Sequence, residues 1–309
     1  MGSAAGFYAG LCKPGDFVLY YTQKEMKRIM LDILTDAVMD SLKTLPFLFG
    51  AYLLIEFLEH RASGHMTRLL ARLGPLGPLG GAALGCVPQC GFSVAAANFY
   101  AGRLITPGTL IAVFLSTSDE ALPILLSRPG AAGSLGPLLG VKLCAGALTG
   151  IAVDLVYSRF LKQKLREPFH ELCEDCGCEE KGVLRSALGH TVKIFLFLLA
   201  VNIALGCAIE LVGEENISRL LLHGSVFQPL LSGLIGFIPN CAASVILTEL
   251  YLEGSLSFGA AVAGLCTGAG LGLLVLFRVN KNWRENLCIA GVLYVAAVVT
   301  GTLCQIVMP

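Results

Sequence analysis

The feature that most constrains this chain is an internal duplication. The tripeptide Pro88-Gln89-Cys90 recurs 151 residues later as Pro239-Asn240-Cys241, and the flanking sequences align without a gap. The same offset pairs further identical residues, namely Pro78 with Pro229, Gly85 with Gly236, Ser93 with Ser244, Tyr100 with Tyr251, Gly108 with Gly259 and Ala112 with Ala263. We therefore predict two copies of one structural unit, each with a helix-breaking, thiol-bearing segment.

Composition places both copies in a membrane. Apolar residues make up 55% of the chain and charged residues 14%, and the mean hydropathy is +0.73. Such a chain has too little polar surface for a soluble domain. Apolar stretches suited to membrane helices of about 20 residues lie at 38–59, 107–127, 134–158, 188–212, 257–277 and 286–307, with shorter ones at 69–87, 91–102, 219–238 and 242–253. We expect an all-α integral membrane protein with about ten helical segments.

Five segments per copy would insert the second copy upside down relative to the first, as in many secondary transporters. Basic residues support this topology, because they concentrate on opposite loops in the two copies. The alternating polarity of an outer-membrane barrel is absent, which favours the all-α class over β. We expect a multi-pass protein of a prokaryotic inner (plasma) membrane. Four parts are predicted: an N-terminal segment with an interfacial amphipathic helix (1–36), a first transmembrane repeat (37–158), a cytoplasmic Cys/His linker (159–187) and a second transmembrane repeat (188–309).

The short segment after each proline motif predicts a broken or re-entrant helix. Gly91 to Arg103 would span about 20 Å as a helix, which is too short for about 30 Å of hydrocarbon. The two tips would meet near the midplane, where half-helix N-termini favour an anion or an electron-rich ligand. We predict a substrate site of amides, hydroxyls and soft sulfur, formed by Gln89, Cys90, Ser93, Asn240, Cys241, Ser244 and Cys86. The alternative is that these cysteines are small buried core residues.

A second polar cluster interrupts the apolar stretch 107–127. Two carboxylates and a proline lie at mid-span in Ser116-Thr117-Ser118-Asp119-Glu120-Ala121-Leu122-Pro123, where a buried acid is costly and usually functional. Copy two reads Thr267-Gly268-Ala269-Gly270-Leu271-Gly272, which keeps a break but loses the charge. We predict coupling to a proton or sodium gradient through Ser116, Ser118, Asp119, Glu120, Glu249, Lys43 and Lys193. Alternatively, the acids pair structurally with a cation such as Lys142, and the other two lysines extend to lipid headgroups.

The linker carries a possible soft-metal site. Its C-x-x-C-x-C spacing brings three thiols and an imidazole within reach of one ion, through His170, Cys173, Cys176 and Cys178. A solvated charged loop is the alternative. We expect no other cofactor.

Together these motifs resemble a known family. The duplicated Pro-Gln-Cys-Gly and Pro-Asn-Cys segments, the Ser-Thr-Ser-Asp-Glu-Ala-Leu-Pro break and the His/Cys linker are similar to those of ten-transmembrane heavy-metal exporters, often labelled arsenic efflux proteins. The resemblance covers about residues 31–307. It implies efflux of a metal or metalloid such as arsenite. More distantly, the layout is similar to permeases for trivalent organoarsenicals.

Three hypotheses follow. The first is a secondary transporter that exports a thiophilic metal or metalloid on Cys90 and Cys241, driven by an ion gradient because no ATP-binding loop occurs. The second keeps the transporter but makes the substrate a small organic or inorganic anion. The third is a membrane enzyme or redox sensor, which an apolar setting disfavours because reactivity requires a thiolate; we expect no enzyme.

The expected partners are a small ion or anion substrate and membrane lipid, and a homo-oligomer stays open. A net charge of zero with scattered basic residues gives no support to a nucleic-acid partner, and we expect none.

Overall fold

A computed structural model describes residues 27–53 except 29, 32, 40, 43, 47 and 51, together with 76–87, 90–117, 121–128, 132–160, 183–212 and 227–307. Within these ranges the regular structure is helical and contains no strand, which confirms the predicted all-α class. After a helical stretch in residues 33–53, the helices are α1 (Gly77–Gly85), α2 (Cys90–Ala101), α3 (Pro107–Ser116), α4 (Ala121–Ser127), α5 (Ala132–Phe160), α6 (Val183–Val212), α7 (Gln228–Ile235), α8 (Cys241–Leu252), α9 (Phe258–Thr267), α10 (Leu271–Val279) and α11 (Trp283–Val307).

Several of these helices are long and apolar enough to cross a membrane. In the described part of the chain the candidate spans are Pro107–Ser127, Gly133–Tyr157, Ala187–Cys207, Phe258–Val279 and Trp283–Val307. They coincide with predicted apolar stretches. The chain is therefore a multi-pass membrane protein.

Two of the spans form the interior of the molecule. The α3–α4 span is 80% buried and the α9–α10 span 72% buried, whereas the other three are 17% or 22% buried. The outer helices thus expose apolar side chains, as helices that face lipid do. The inner pair are the two spans for which the sequence predicts a break.

Helices α3 and α9 begin alike and end alike. Each has a hydroxyl cap at its N-terminus, where Thr106 accepts from Thr109 N at 3.1 Å and Ser257 accepts from Ala260 N at 3.2 Å. Helix α3 ends at Ser116 and α9 at Thr267. In copy two the chain then turns through Gly270, at φ +52°, a conformation that favours glycine.

The tertiary packing within each copy also repeats at the offset of 151. A methyl group on Gly150 would collide with the carbonyl oxygen of Gly108, and one on Gly301 would collide with that of Gly259. These glycines let α5 lie backbone to backbone on α3, and α11 on α9. The duplicated sequence therefore builds two copies of one helical unit.

The copies exchange contacts reciprocally. The hydroxyl of Tyr100 donates to Glu285, while the hydroxyl of Tyr251 lies 2.9 Å from that of Ser134. Under the same offset Tyr100 corresponds to Tyr251, and Ser134 to Glu285. In the same way α2 packs on α10 and α8 packs on α4. Each copy thus contributes its cysteine-bearing helix to the other.

The first long helices of the two copies run antiparallel. Asn202 donates to the hydroxyl of Ser41 at 3.2 Å, and the rings of Tyr52 and His190 stack with centroids 5.3 Å apart. Residue numbers rise along the 33–53 stretch as they fall along α6. The predicted domain boundaries and the inverted orientation of the two whole copies stay predictions.

Candidate functional site

The breaks in the two copies meet at Lys142. This lysine lies on α5, and its side chain is fully buried. Its ammonium donates to the carbonyl oxygen of Thr117, and to that of Leu265 at 2.7 Å. Thr117 caps the C-terminus of α3, and Leu265 lies in the last turn of α9. One side chain therefore links the C-terminal ends of both interrupted helices.

These carbonyl groups suit a cation. The last carbonyls of a helix lack intrahelical partners and carry the negative end of the helix dipole. In an unbroken helix the amide of Ala269 would donate to Leu265, but it donates to Thr267 at 2.7 Å instead. The ammonium of Lys142 takes the place of the missing donor.

Helix α5 also contacts the N-terminal end of α3. Asp154 lies just over three turns beyond Lys142 on this helix, and its carboxylate accepts from the hydroxyl of Thr106 at 2.6 Å and from the amide of Gly108 at 2.8 Å. These groups belong to the N-terminus of α3, where a negative charge is favourable. An acid and a lysine on one helix thus complement both ends of α3.

The described tip residues are held by local hydrogen bonds. Asn240 caps α8 by accepting from Ala242 N at 3.0 Å. The Ser93 hydroxyl donates to Cys90 O at 2.7 Å, and the Ser244 hydroxyl donates to Cys241 O at 3.0 Å. Both copies therefore form the same local structure at the start of α2 and α8. Cys90 is buried and Cys241 half-buried.

Both tips reach the break of copy two. A small cavity beside Gly268 and Gly270 is lined by Asn240 and Ser244 of α8. Ser93 of α2 packs closely against α10, because a Cβ added to Gly272 would lie 2.7 Å from the Cβ of Ser93. The predicted site residues of both copies thus converge on residues 268–272.

Three further thiols lie near this region. Lys142 is within electrostatic reach of Cys86 and Cys266, and Cys266 is within reach of Cys304. Among the described residues, no three His, Cys, Asp or Glu side chains are close enough to hold one metal ion. In this conformation the thiols are therefore spread along the site.

Of the predicted coupling residues, one lies at the break of copy one and others lie elsewhere. Ser116 is buried at the end of α3, where its hydroxyl donates to Ala112 O at 2.8 Å. Glu249 forms a partly exposed ion pair with Arg128, about 12 Å along α8 from Cys241 at 1.5 Å per residue. Lys193 is exposed on α6. Their coupling roles stay predictions. Nine other predicted site residues lie outside the described part of the chain, and their roles also stay predictions: Gln89 for substrate, Ser118, Asp119, Glu120 and Lys43 for coupling, and His170, Cys173, Cys176 and Cys178 for metal.

The sequence analysis did not assign the central place to Lys142, nor any role to Cys266 and Asp154. All three lack a matching residue in the other copy, where Leu293, Leu115 and Gln305 stand. The usable signal was that Lys142 is an isolated charge within an apolar stretch, since intramembrane ionisable residues are commonly functional.

Interrupted inner spans whose ends meet at a buried charge are the architecture of a membrane transporter. The sequence model of the family described as "Putative, 10TM heavy-metal exporter" matches residues 25–211 and 191–308. The chain belongs to this family, which confirms the resemblance drawn from its motifs. No curated protein and no solved structure matches the chain.

Proposed function

We propose that the protein is a secondary active exporter of a thiophilic heavy metal or metalloid, of which arsenite is the representative probe. Membership in a heavy-metal exporter family supports this proposal. The observation that carries it is the approach of both cysteine-bearing helices, α2 and α8, to the break at residues 268–272. A prokaryotic plasma membrane is the proposed location.

The substrate would bind at the start of α2 and α8. Cys90 and Cys241 are the first residues of these helices, so their soft sulfur lies beside the N–H groups of the first helical turn. Thiolate is the preferred ligand of soft metals, and the N–H groups would stabilise the charge it carries.

Alternating access would arise from the duplication. The antiparallel first helices and the reciprocal tyrosine contacts support an inverted pair of copies. In such a pair, one copy can tilt against the other about the shared break, so that the site opens to one face and then to the other.

The driving force proposed is an ion gradient. Asp119 and Glu120 are the candidate coupling acids, because they belong to the break of copy one. The linker, through His170 and its three cysteines, would deliver a soft ion to the cytoplasmic opening.

Replacement of both tip cysteines tests the proposal. We expect Cys90→Ser with Cys241→Ser to weaken arsenite affinity, measured as the half-saturating concentration for transport in proteoliposomes, at least about tenfold, which corresponds to a loss of about 1.4 kcal/mol of binding. The matched control is Cys288→Ser, which removes an exposed thiol on α11 and should transport normally. Thermal midpoints of the purified proteins show whether both variants are folded.

The second candidate is a transporter of a small anion, favoured by the fully buried ammonium of Lys142 between the ends of α3 and α9. Arsenite transport that survives in a folded double cysteine variant, together with uptake of phosphate or an organic anion, would replace the first proposal with this one.

A further inference from the structure

The Lys142 ammonium occupies a position that has the properties of a cation site. Two backbone carbonyls from two different helix ends converge on it, and no exposed surface of the side chain remains. Carbonyls freed by a helix break must find a donor or a cation within the membrane. The C-terminal ends of half-helices are the groups that coordinate monovalent cations in broken-helix transporters.

The two carbonyls come from different copies, whereas the lysine comes from one. Thr117 belongs to copy one and Leu265 to copy two. The equivalent of Lys142 in copy two is Leu293, which is also fully buried but offers no donor. A single ammonium therefore serves both breaks and connects the copies at their interior.

We propose that Lys142 is a tethered cation that fills a monovalent-cation site between the two breaks and holds the copies together in this conformation. The site would accept a small free cation, and a primary alkylammonium ion best of all, once the lysine side chain is removed. The transport consequence rests on the proposed function: export should need no sodium ion, because the protein supplies its own cation.

Chemical rescue tests the site without any transport measurement. Truncation by Lys142→Ala leaves the Cβ, and n-propylammonium matches the three carbons and the ammonium that are lost. We expect the variant to have a lower thermal midpoint in detergent, and n-propylammonium to raise it in a saturable manner, since a ligand that binds only the folded state stabilises it. Wild type should not respond.

Three controls separate charge from packing and from nonspecific effects. Uncharged 1-propanol has the same shape and should fail to rescue Lys142→Ala, and Lys281→Ala removes an exposed lysine and should show neither loss nor rescue. Lys142→Met fills the volume without a donor, and we expect it to stay below wild type because it leaves both carbonyls unpaired.

If Lys142→Ala does not fold, Lys142→Met and Lys142→Arg decide the question. Arginine keeps the charge and should exceed methionine in thermal midpoint. Equal rescue by propanol and propylammonium, or a methionine variant as stable as wild type, would overturn the proposal.

Transport supplies the second readout. Wild-type proteoliposomes should move arsenite equally fast in sodium and in choline buffer. A sodium requirement would refute the tethered-cation proposal and leave the exporter proposal intact. Absence of arsenite transport in both buffers, with chemical rescue observed, would refute the exporter proposal and leave the cation site standing.

Discussion

The two copies of the repeat share a scaffold but differ in their charges. The glycines that bring α5 onto α3 and α11 onto α9 recur at equivalent positions. In contrast, Lys142 and Asp154 of copy one correspond at the repeat offset to Leu293 and Gln305 of copy two. This difference indicates that close backbone packing was needed twice, whereas the buried charge is needed once, at the point where the copies meet.

The close backbone packing that both copies share predicts the largest effect. Gly150→Val and Gly301→Val should both prevent normal folding or cost more than about 3 kcal/mol, because the added side chain would meet the backbone of the neighbouring helix. The yield of monodisperse protein in size-exclusion chromatography, followed by its thermal midpoint, measures the loss.

The chain offers a matched control for each glycine. A Cβ on Gly140 or on Gly291 would have no atom within 4 Å, and these two residues also correspond at the offset of 151. Gly140→Val and Gly291→Val should therefore be mild. A large loss for only one of Gly150 and Gly301 would show that the scaffold is less symmetric than the contacts indicate.

The buried charge that only copy one carries predicts an intermediate effect. We expect Lys142→Leu to be strongly destabilised, and the exchange variant Lys142→Leu with Leu293→Lys to recover on the order of 1 kcal/mol, roughly one hydrogen bond. The reason is that a lysine at 293 would approach the same pair of helix ends from copy two. Urea or thermal unfolding in detergent measures the difference, and an exchange variant less stable than Lys142→Leu would contradict it.

The smallest effects expected of single substitutions concern the reciprocal tyrosines. Tyr100→Phe removes a bond to a carboxylate, which is typically stabilising by about 1.5–3 kcal/mol, and Tyr251→Phe removes a bond to a hydroxyl, at about 0.5–1.5 kcal/mol. The two variants are matched in chemistry and in position. Equal losses in thermal midpoint would mean that the charge of Glu285 adds nothing to this contact.

Much of the fold follows from the sequence because helix periodicity, apolar length and the repeat offset are local or one-dimensional signals. The ends of α5, of α9 and α10 taken together, and of α11 lie within a few residues of the predicted stretches, and the break before Leu271 was expected from its glycines. Family membership was also correctly inferred from the motifs.

The centre of the site was less accessible to that reasoning. Lys142 approaches Leu265 across 123 residues, and no pattern in one sequence specifies such a contact. Glu249 is a second example: it was predicted as a coupling residue, and the sequence did not indicate its partly exposed ion pair with Arg128. Where side chains meet depends on how α4, α5 and α8 pack, which composition does not determine.

The reciprocal tyrosine contacts also bear on biosynthesis. Tyr100 leaves the ribosome 185 residues before its partner Glu285, an interval of about 10 to 40 s at typical rates of synthesis. Throughout that time α2 lacks α10, the helix on which it packs. Tyr100 of copy one therefore lacks its partner Glu285 until copy two is inserted, and insertion of copy two completes the packing of α2.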